Sequence, residues 1–206
     1  MLIIGLTGSI GMGKSTAAAR FRRLGIAVFD ADAAVHDLYR GKAAPLIEAA
    51  FPGSTAEGIV DRRLLMKSLS STPGAFARLE AIVHPLVREA EQAFLAAEKH
   101  RGARLAVLEI PLLFETGGDR LVDVTVVVSA PLQEQRRRVM ERPGMTEAKL
   151  AELLARQLPD AEKQRRADFV VDTSGPIPET EAQIDKLVEQ LSERRGSAYQ
   201  RHWALA

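Results

Sequence analysis

Eight residues near the amino terminus, Gly8-Ser9-Ile10-Gly11-Met12-Gly13-Lys14-Ser15, carry the spacing G-x-x-x-x-G-K-[ST]. Glycines at those intervals let a backbone turn tightly with its N–H groups pointing inward, a nest for phosphate oxygens. In such a loop Lys14 reaches β- and γ-phosphates, and the Ser15 hydroxyl is placed to ligate Mg²⁺. The context supports the motif. An apolar run, Leu2–Leu6, leads straight into it, and a helical stretch, Ser15–Arg23, follows. A helix amino terminus adds partial positive charge to the anion site. The chemistry expected is binding of a nucleoside triphosphate.

A second group is Phe29-Asp30-Ala31-Asp32, at the end of the next apolar run, Ile26–Phe29. A carboxylate there could accept a proton from an acceptor hydroxyl and align its oxygen with a γ-phosphate. Either acid also suits the N-cap of the helix that begins Ala33-Ala-Val-His-Asp-Leu, and spacing alone leaves both roles open. A third group is the stretch from 136 to 166, with nine Arg and Lys against five Asp and Glu in a chain whose net charge is +1. Arginines brought over a triphosphate would neutralise charge and exclude water; a solvated helix face is the plainer reading of any one of them.

The elements that must position these groups are legible as five short apolar runs: Leu2–Leu6, Ile26–Phe29, Leu105–Leu108, Val124–Val128 and Phe169–Val171. Continuous rather than alternating, they read as strands of a parallel sheet buried on both faces. Helical stripes lie between them, including Leu86, Val87, Ala90, Ala93, Phe94 and Ala97, and Ile184, Leu187, Val188 and Leu191 behind Pro178. The expected fold is α/β, of the P-loop NTPase type: a five-stranded parallel sheet covered by helices, with ligands beyond its carboxyl ends. Residues 33–102 show no strand pattern and read as a helical insertion. The expected division is a single domain with core 1–32, 103–135 and 167–195, an acceptor-binding region 33–102 and a lid 136–166.

Composition narrows the function classes. With 206 residues, 46% hydrophobic and 27% charged, the chain can bury a real core. Near-neutral charge argues against a nucleic-acid coat, and no apolar run approaches the roughly 20 residues of a membrane span. The absence of cysteine removes disulfides and thiolate sites. The four histidines lack zinc-ligand spacing. A soluble, cytoplasmic protein, monomeric or weakly homo-oligomeric, is expected. The tail Arg194–Trp203 reads as a mobile end. No asparagine occurs, so the Asn-Lys-x-Asp element that reads guanine in Ras-type GTPases is missing. A small-molecule kinase remains.

Beyond the phosphate loop, the chain resembles the dephospho-coenzyme A kinases. The resemblance rests on Gly5–Thr16, Asp30-Ala31-Asp32, Asp61-Arg62, Leu79-Glu-Ala-Ile-Val-His84-Pro85, Pro111-Leu-Leu-Phe-Glu115, Gln135 with Arg138 and Arg142, and Ala167–Asp172, in the family's order. It implies ATP-dependent phosphorylation of the ribose 3′-hydroxyl of dephospho-coenzyme A, with ATP and Mg²⁺, and no nucleic-acid or membrane partner. Asp32 is then the base. Gly8, Gly11, Met12, Gly13, Lys14, Ser15 and Thr16 hold the ATP phosphates, Ser15 the metal, and Arg138 and Arg142 belong to the lid. Arg62 and His84 fall in the acceptor region, where His84 equally suits a residue shaping the start of the 86–97 helix. Ser9, Glu109 and Thr173 stand where that family often has glycine, aspartate and asparagine. Another small-molecule or nucleoside monophosphate kinase is the alternative.

Overall fold

The computed structural model describes residues 1–204. Its elements in chain order are β1 (Leu2–Thr7), α1 (Lys14–Arg23), β2 (Ala27–Asp30), α2 (Ala31–Tyr39), α3 (Ala43–Ala50), β3 (Thr55–Ala56), β4 (Ile59–Val60), α4 (Arg62–Ser71) and α5 (Ala75–His100). They continue with β5 (Leu105–Glu109), β6 (Val124–Ser129), α6 (Leu132–Met140), α7 (Glu147–Ala155), α8 (Asp160–Arg166), β7 (Phe169–Asp172) and α9 (Ile177–Ser192). Two compact units result, one of residues 1–29 and 95–206, the other of residues 30–94, so that the second division falls within α5.

In the first unit the five apolar runs are strands, each displaced by at most one residue from its expected bounds. The sheet order is β2-β5-β1-β6-β7, and β1 pairs in parallel with β5 and β6. Register decides what meets at the carboxyl edge. Leu6 pairs with Glu109, Thr7 with Val127, and Ser129 with Asp172. The loop leaving β1 at Gly8 therefore emerges beside Glu109 on one side and Ser129 on the other. The central strands need no alternation of polar and apolar residues, because both faces are covered. Leu6, Phe21, Val126, Ile184 and Leu191 are among the residues sealed in this core. Helix α1 is held to α9 by Arg20, which forks onto Asp185 at 2.7 and 2.6 Å, and by an Arg23–Glu181 ion pair.

The carboxyl-terminal segment corrects the expectation of a mobile end. Trp203 is 1% exposed and its indole N–H donates to the Leu121 carbonyl at 2.7 Å. Asp123 accepts from the N–H groups of Ser197 and Ala198 at 2.6 and 2.8 Å, and with its other oxygen from Ile3. A polar-looking sequence hides this, because the anchoring apolar group is a single indole. Trp203→Ala is expected to cost about 3–5 kcal/mol, the usual loss for truncating a buried aromatic. Urea unfolding followed by circular dichroism measures it, since the variant has no tryptophan to report.

The second unit has its own core, in which Ile47, Phe51, Leu65, Leu69 and Val83 are buried. Here the sequence reading needs two corrections. Residues 33–102 do contain strands: β3 and β4 form a two-stranded antiparallel hairpin. Its turn places Glu57 at φ 52° and Gly58 at φ 77°, the paired left-handed conformation that two-residue hairpins favour. Strands of two residues are too short to show a period. Helix α5 also begins at Ala75 and runs through Pro85 rather than starting after it. Ala75, Leu79, Val83 and Val87 continue one apolar stripe at four-residue spacing, and its burial outweighs the hydrogen bond that proline removes.

Glu91 on α5 is 7% exposed, with Arg88 Nη1 3.9 Å from its carboxylate. Burial raises its pKa from 4.5 to about 7, against the weaker opposing pull of Arg88. Between those two values the folded state holds a proton that the unfolded state has released. Stability therefore falls as pH rises through that window, by on the order of 3 kcal/mol in all. Urea unfolding at pH 5 and pH 8 should reveal this slope, and Glu91→Gln should flatten it.

Candidate active site

The loop between β1 and α1 has the shape its glycines suggest. Gly11 lies at φ 78°, and a Cβ there would come within 2.5 Å of Val139 Cγ2 and 3.0 Å of the Gln135 carbonyl. Both the dihedral and the space exclude a side chain. Gly13 is the N-cap of α1, and no side chain caps that helix. The N–H groups of its first turn, including those of Lys14 and Ser15, are thus left for an anion. Ser15 is exposed and Thr16 half-buried. Ser15 thereby stands open to solvent at the turn that would hold a phosphate.

Lys14 is not idle. Its Nζ lies 2.8 Å from Glu109 Oε1, and Arg22 Nη2 lies 3.6 Å from the other carboxylate oxygen. Glu109 is only 4% exposed, a buried carboxylate held between these two cations. The β1–β5 register makes the pair: Glu109 closes β5 directly opposite the strand that feeds the loop. A triphosphate would compete with Glu109 for the same ammonium.

The outer side of the loop is gripped by side chains distant in sequence. Gln135 Nε2 donates to the Ile10 carbonyl at 2.8 Å, and Gln157 Oε1 accepts from the Ile10 N–H at 3.2 Å. Met12 is buried, and its sulfur accepts from the Ala130 N–H at 3.1 Å. The Thr173 hydroxyl lies 2.9 Å from the Met12 carbonyl and 3.2 Å from that of Ser129, and receives Arg138 Nη1 at 3.2 Å. Arg138 Nη2 also donates to the Thr173 carbonyl. Arg138 is accordingly tied to the end of β7, whereas Arg142, two residues beyond the end of α6, is exposed. Sequence reasoning singled out Arg138 and Thr173 but not Gln157, which lies 147 residues from its partner and has no local signature.

The blocks between these residues brace the sheet at both of its ends. Thr7 Oγ1 donates to the Pro111 carbonyl at 3.1 Å. Glu115 accepts from the Leu158 N–H at 2.7 Å and pairs with the fully buried Lys163 at 3.0 Å. Asp168 accepts from both the N–H and the hydroxyl of Thr125 at 2.8 Å. Beside the loop, a cavity of ≈ 750 Å³ is lined by residues that include Ser9, Met12, Ser129, Pro131, Gln164 and Asp172. That size suits a nucleoside.

The two acids where β2 gives way to α2 separate in role. Asp30 is the N-cap of α2 and accepts from the Ala33 N–H at 3.0 Å. Asp32 sits exposed in the first helical turn, on the wall of a ≈ 540 Å³ cavity that Arg62 also lines. Arg62 lies over the Tyr39 ring at 5.7 Å, with Nη2 3.5 Å from His36 Nδ1. Asp61 caps α4 through the N–H groups of Arg63 and Leu64. His84 is exposed in the middle of α5 and shapes no helix start; it is not among the residues of this cavity.

Among the described residues no group of three or more His, Asp or Glu could hold a metal by itself. No helix among them is long and apolar enough to cross a membrane.

Comparison with known proteins agrees with this layout. The family model described as dephospho-CoA kinase matches residues 2–179. The dephospho-CoA kinase of Mesorhizobium japonicum is 54% identical over 197 residues, covering 96% of this chain and 100% of the relative. That of Rhizobium etli is 56% identical over 194 residues, covering 94% of this chain and 96% of the relative. Among solved structures, a protein of Thermus thermophilus superposes with a TM-score of 0.79 at 38% identity, over 92% of this chain and 97% of its own.

Proposed function

The chain belongs to the dephospho-CoA kinase family, the ATP-dependent kinases that convert dephospho-CoA to CoA, and on that premise we propose how its own residues divide the work. The γ-phosphoryl group passes from ATP to the ribose 3′-hydroxyl. Asp32 takes the hydroxyl proton as the oxygen bonds to phosphorus, and ADP leaves with the electrons of the broken P–O bond. Such a transfer asks little covalent chemistry of the protein and much positioning and charge neutralisation.

The observation that carries the reading is the division between the two aspartates. Because Asp30 satisfies the cap, Asp32 stands exposed on the cavity that also holds Arg62. Residues 30–94 serve as the acceptor-binding unit, and 136–166, with its exposed Arg142, as the covering segment. The loop Gly8, Gly11–Thr16 cradles the phosphates, and the cavity beside Met12 and Ser129 takes the nucleoside of ATP.

Mg²⁺ fits this donor set. It favours phosphate oxygens and retained waters over an all-protein cage, and the exposed Ser15 hydroxyl supplies one protein ligand without a carboxylate cluster. When bound, the ion neutralises charge on the β- and γ-phosphates. The test is ADP release from ATP across a panel of acceptors, with and without Mg²⁺. Rapid release only with dephospho-CoA and only with Mg²⁺ is expected. Rapid release with nucleoside monophosphates instead would overturn the acceptor assignment.

A further inference from the structure

Two glutamines far along the chain hold the phosphate loop at one residue. Gln135 donates to the Ile10 carbonyl at 2.8 Å, and Gln157 accepts from the Ile10 N–H at 3.2 Å. Those groups belong to successive peptides, so both planes beside Ile10 are fixed from outside the loop. The Met12 N–H closes the turn onto the Ser9 carbonyl at 3.1 Å. A loop built on Gly8, Gly11 and Gly13 has little backbone preference of its own, since glycine populates both signs of φ with similar ease. Ordering such a loop only when phosphate arrives costs conformational entropy, and ordering it beforehand removes that cost from binding.

We propose that Gln157 is a positioning residue for phosphate binding: its side-chain oxygen holds the Ile10 N–H and keeps the loop in the form that accepts a triphosphate. This rests on the loop cradling the phosphates of ATP. The Ile10 N–H is thereby bonded to protein, and the N–H groups of the α1 first turn are the ones left for the anion.

The turn that presents Gln157 is itself braced. Glu115 accepts from the adjoining Leu158 N–H at 2.7 Å and pairs with Lys163 at 3.0 Å, gripping the turn on both sides of Pro159. Lys163 is fully buried, and parting a buried pair strands a charge, so this anchor resists displacement. Asp160 accepts from the Ser129 hydroxyl at 2.6 Å, at the carboxyl end of β6. Helix α7, just before the turn, buries only Leu150 among its residues. Gln157 thus stands where an exposed covering helix meets a fixed base. It also borders the ≈ 750 Å³ cavity beside the loop, which makes contact with the nucleoside the competing role. Its oxygen is already engaged by the Ile10 N–H, which favours the loop.

The test is Gln157→Leu in the full-length protein, which keeps the bulk and removes the acceptor. KM for ATP should rise about 3- to 10-fold, the fall in competent loop population that one lost hydrogen bond gives. Because the interaction serves ground and transition states alike, kcat should stay within about 2-fold of the parent, as should KM for dephospho-CoA. With GTP in place of ATP, kcat/KM should fall by the same factor, leaving the preference between the two bases unchanged. An unchanged KM for ATP, or a loss confined to ATP, would overturn the proposal, the latter by making Gln157 a reader of the base. In nucleotide-free protein labelled with ¹⁵N-isoleucine, the Ile10 amide signal, assigned with Ile10→Val, should move upfield and exchange faster in Gln157→Leu. A signal that did neither would also overturn it. The reading of the loop fails separately: Lys14→Ala with unaltered ATP kinetics would remove the phosphates from this loop while leaving the Ile10 amide effect intact.

Discussion

Lys14→Ala is expected to lose about 10²–10³-fold in kcat, the range for deleting one preorganised donor aimed at developing charge, and to weaken ATP binding as well. Steady-state ADP release with varied ATP measures both. The same substitution acts on the unliganded protein, because among the described residues Glu109 would keep only Arg22, at 3.6 Å, as an ion-pair partner. Breaking a buried pair by removing one partner costs about 3–5 kcal/mol. Two effects would then be confounded, and a second variant separates them. Combining Lys14→Ala with Glu109→Gln removes the stranded charge and should recover most of the stability seen in urea unfolding. It should recover none of the turnover. Recovery of both would mean that the lysine serves the fold rather than the phosphates.

Asp32→Asn should lower kcat by about 10²–10⁴-fold, the usual loss for a general base, while KM for ATP stays near that of the parent. Stability should change by less than about 0.5 kcal/mol, because the side chain is exposed and holds no cap. Its neighbour supplies the contrast. Asp30→Ala removes the bond to the Ala33 N–H and should cost about 1 kcal/mol of stability. If Asp32→Asn turned over at full rate, proton transfer would have to pass to another group. If it unfolded, the assignment of the cap would be wrong.

Both variants can be named from the sequence, but their effects on stability rest on the Lys14–Glu109 pair and the Asp30 cap. The sequence marked out the loop and its turn, since G-x-x-x-x-G-K-[ST] is a local pattern whose geometry is set by glycine dihedrals and by the strand and helix on either side. It also yielded all five strands of the main sheet to within a residue, because strands covered on both faces must be apolar throughout. Spacing left Asp30 and Asp32 undivided, for both are acids at the start of one helix, and only the resemblance chose Asp32 as the base. It missed β3 and β4, which are shorter than any period, and it broke α5 at a proline that the stripe of Ala75, Leu79 and Val83 overrides.

What the sequence by itself determined was therefore whatever rests on neighbours a few residues apart: the phosphate loop, the order of strands and helices, and the family to which its motifs are similar. Tertiary structure alone decided which distant groups meet. Parallel register carried Glu109 to Lys14 across 95 positions, β7 brought Thr173 under Met12 across 161, and the turn after α7 delivered Gln157 to Ile10. A docked tail likewise sealed Trp203 against Leu121. Hydrogen bonds and ion pairs of this kind depend on where whole elements pack, and packing is a property of the summed core rather than of any segment of it.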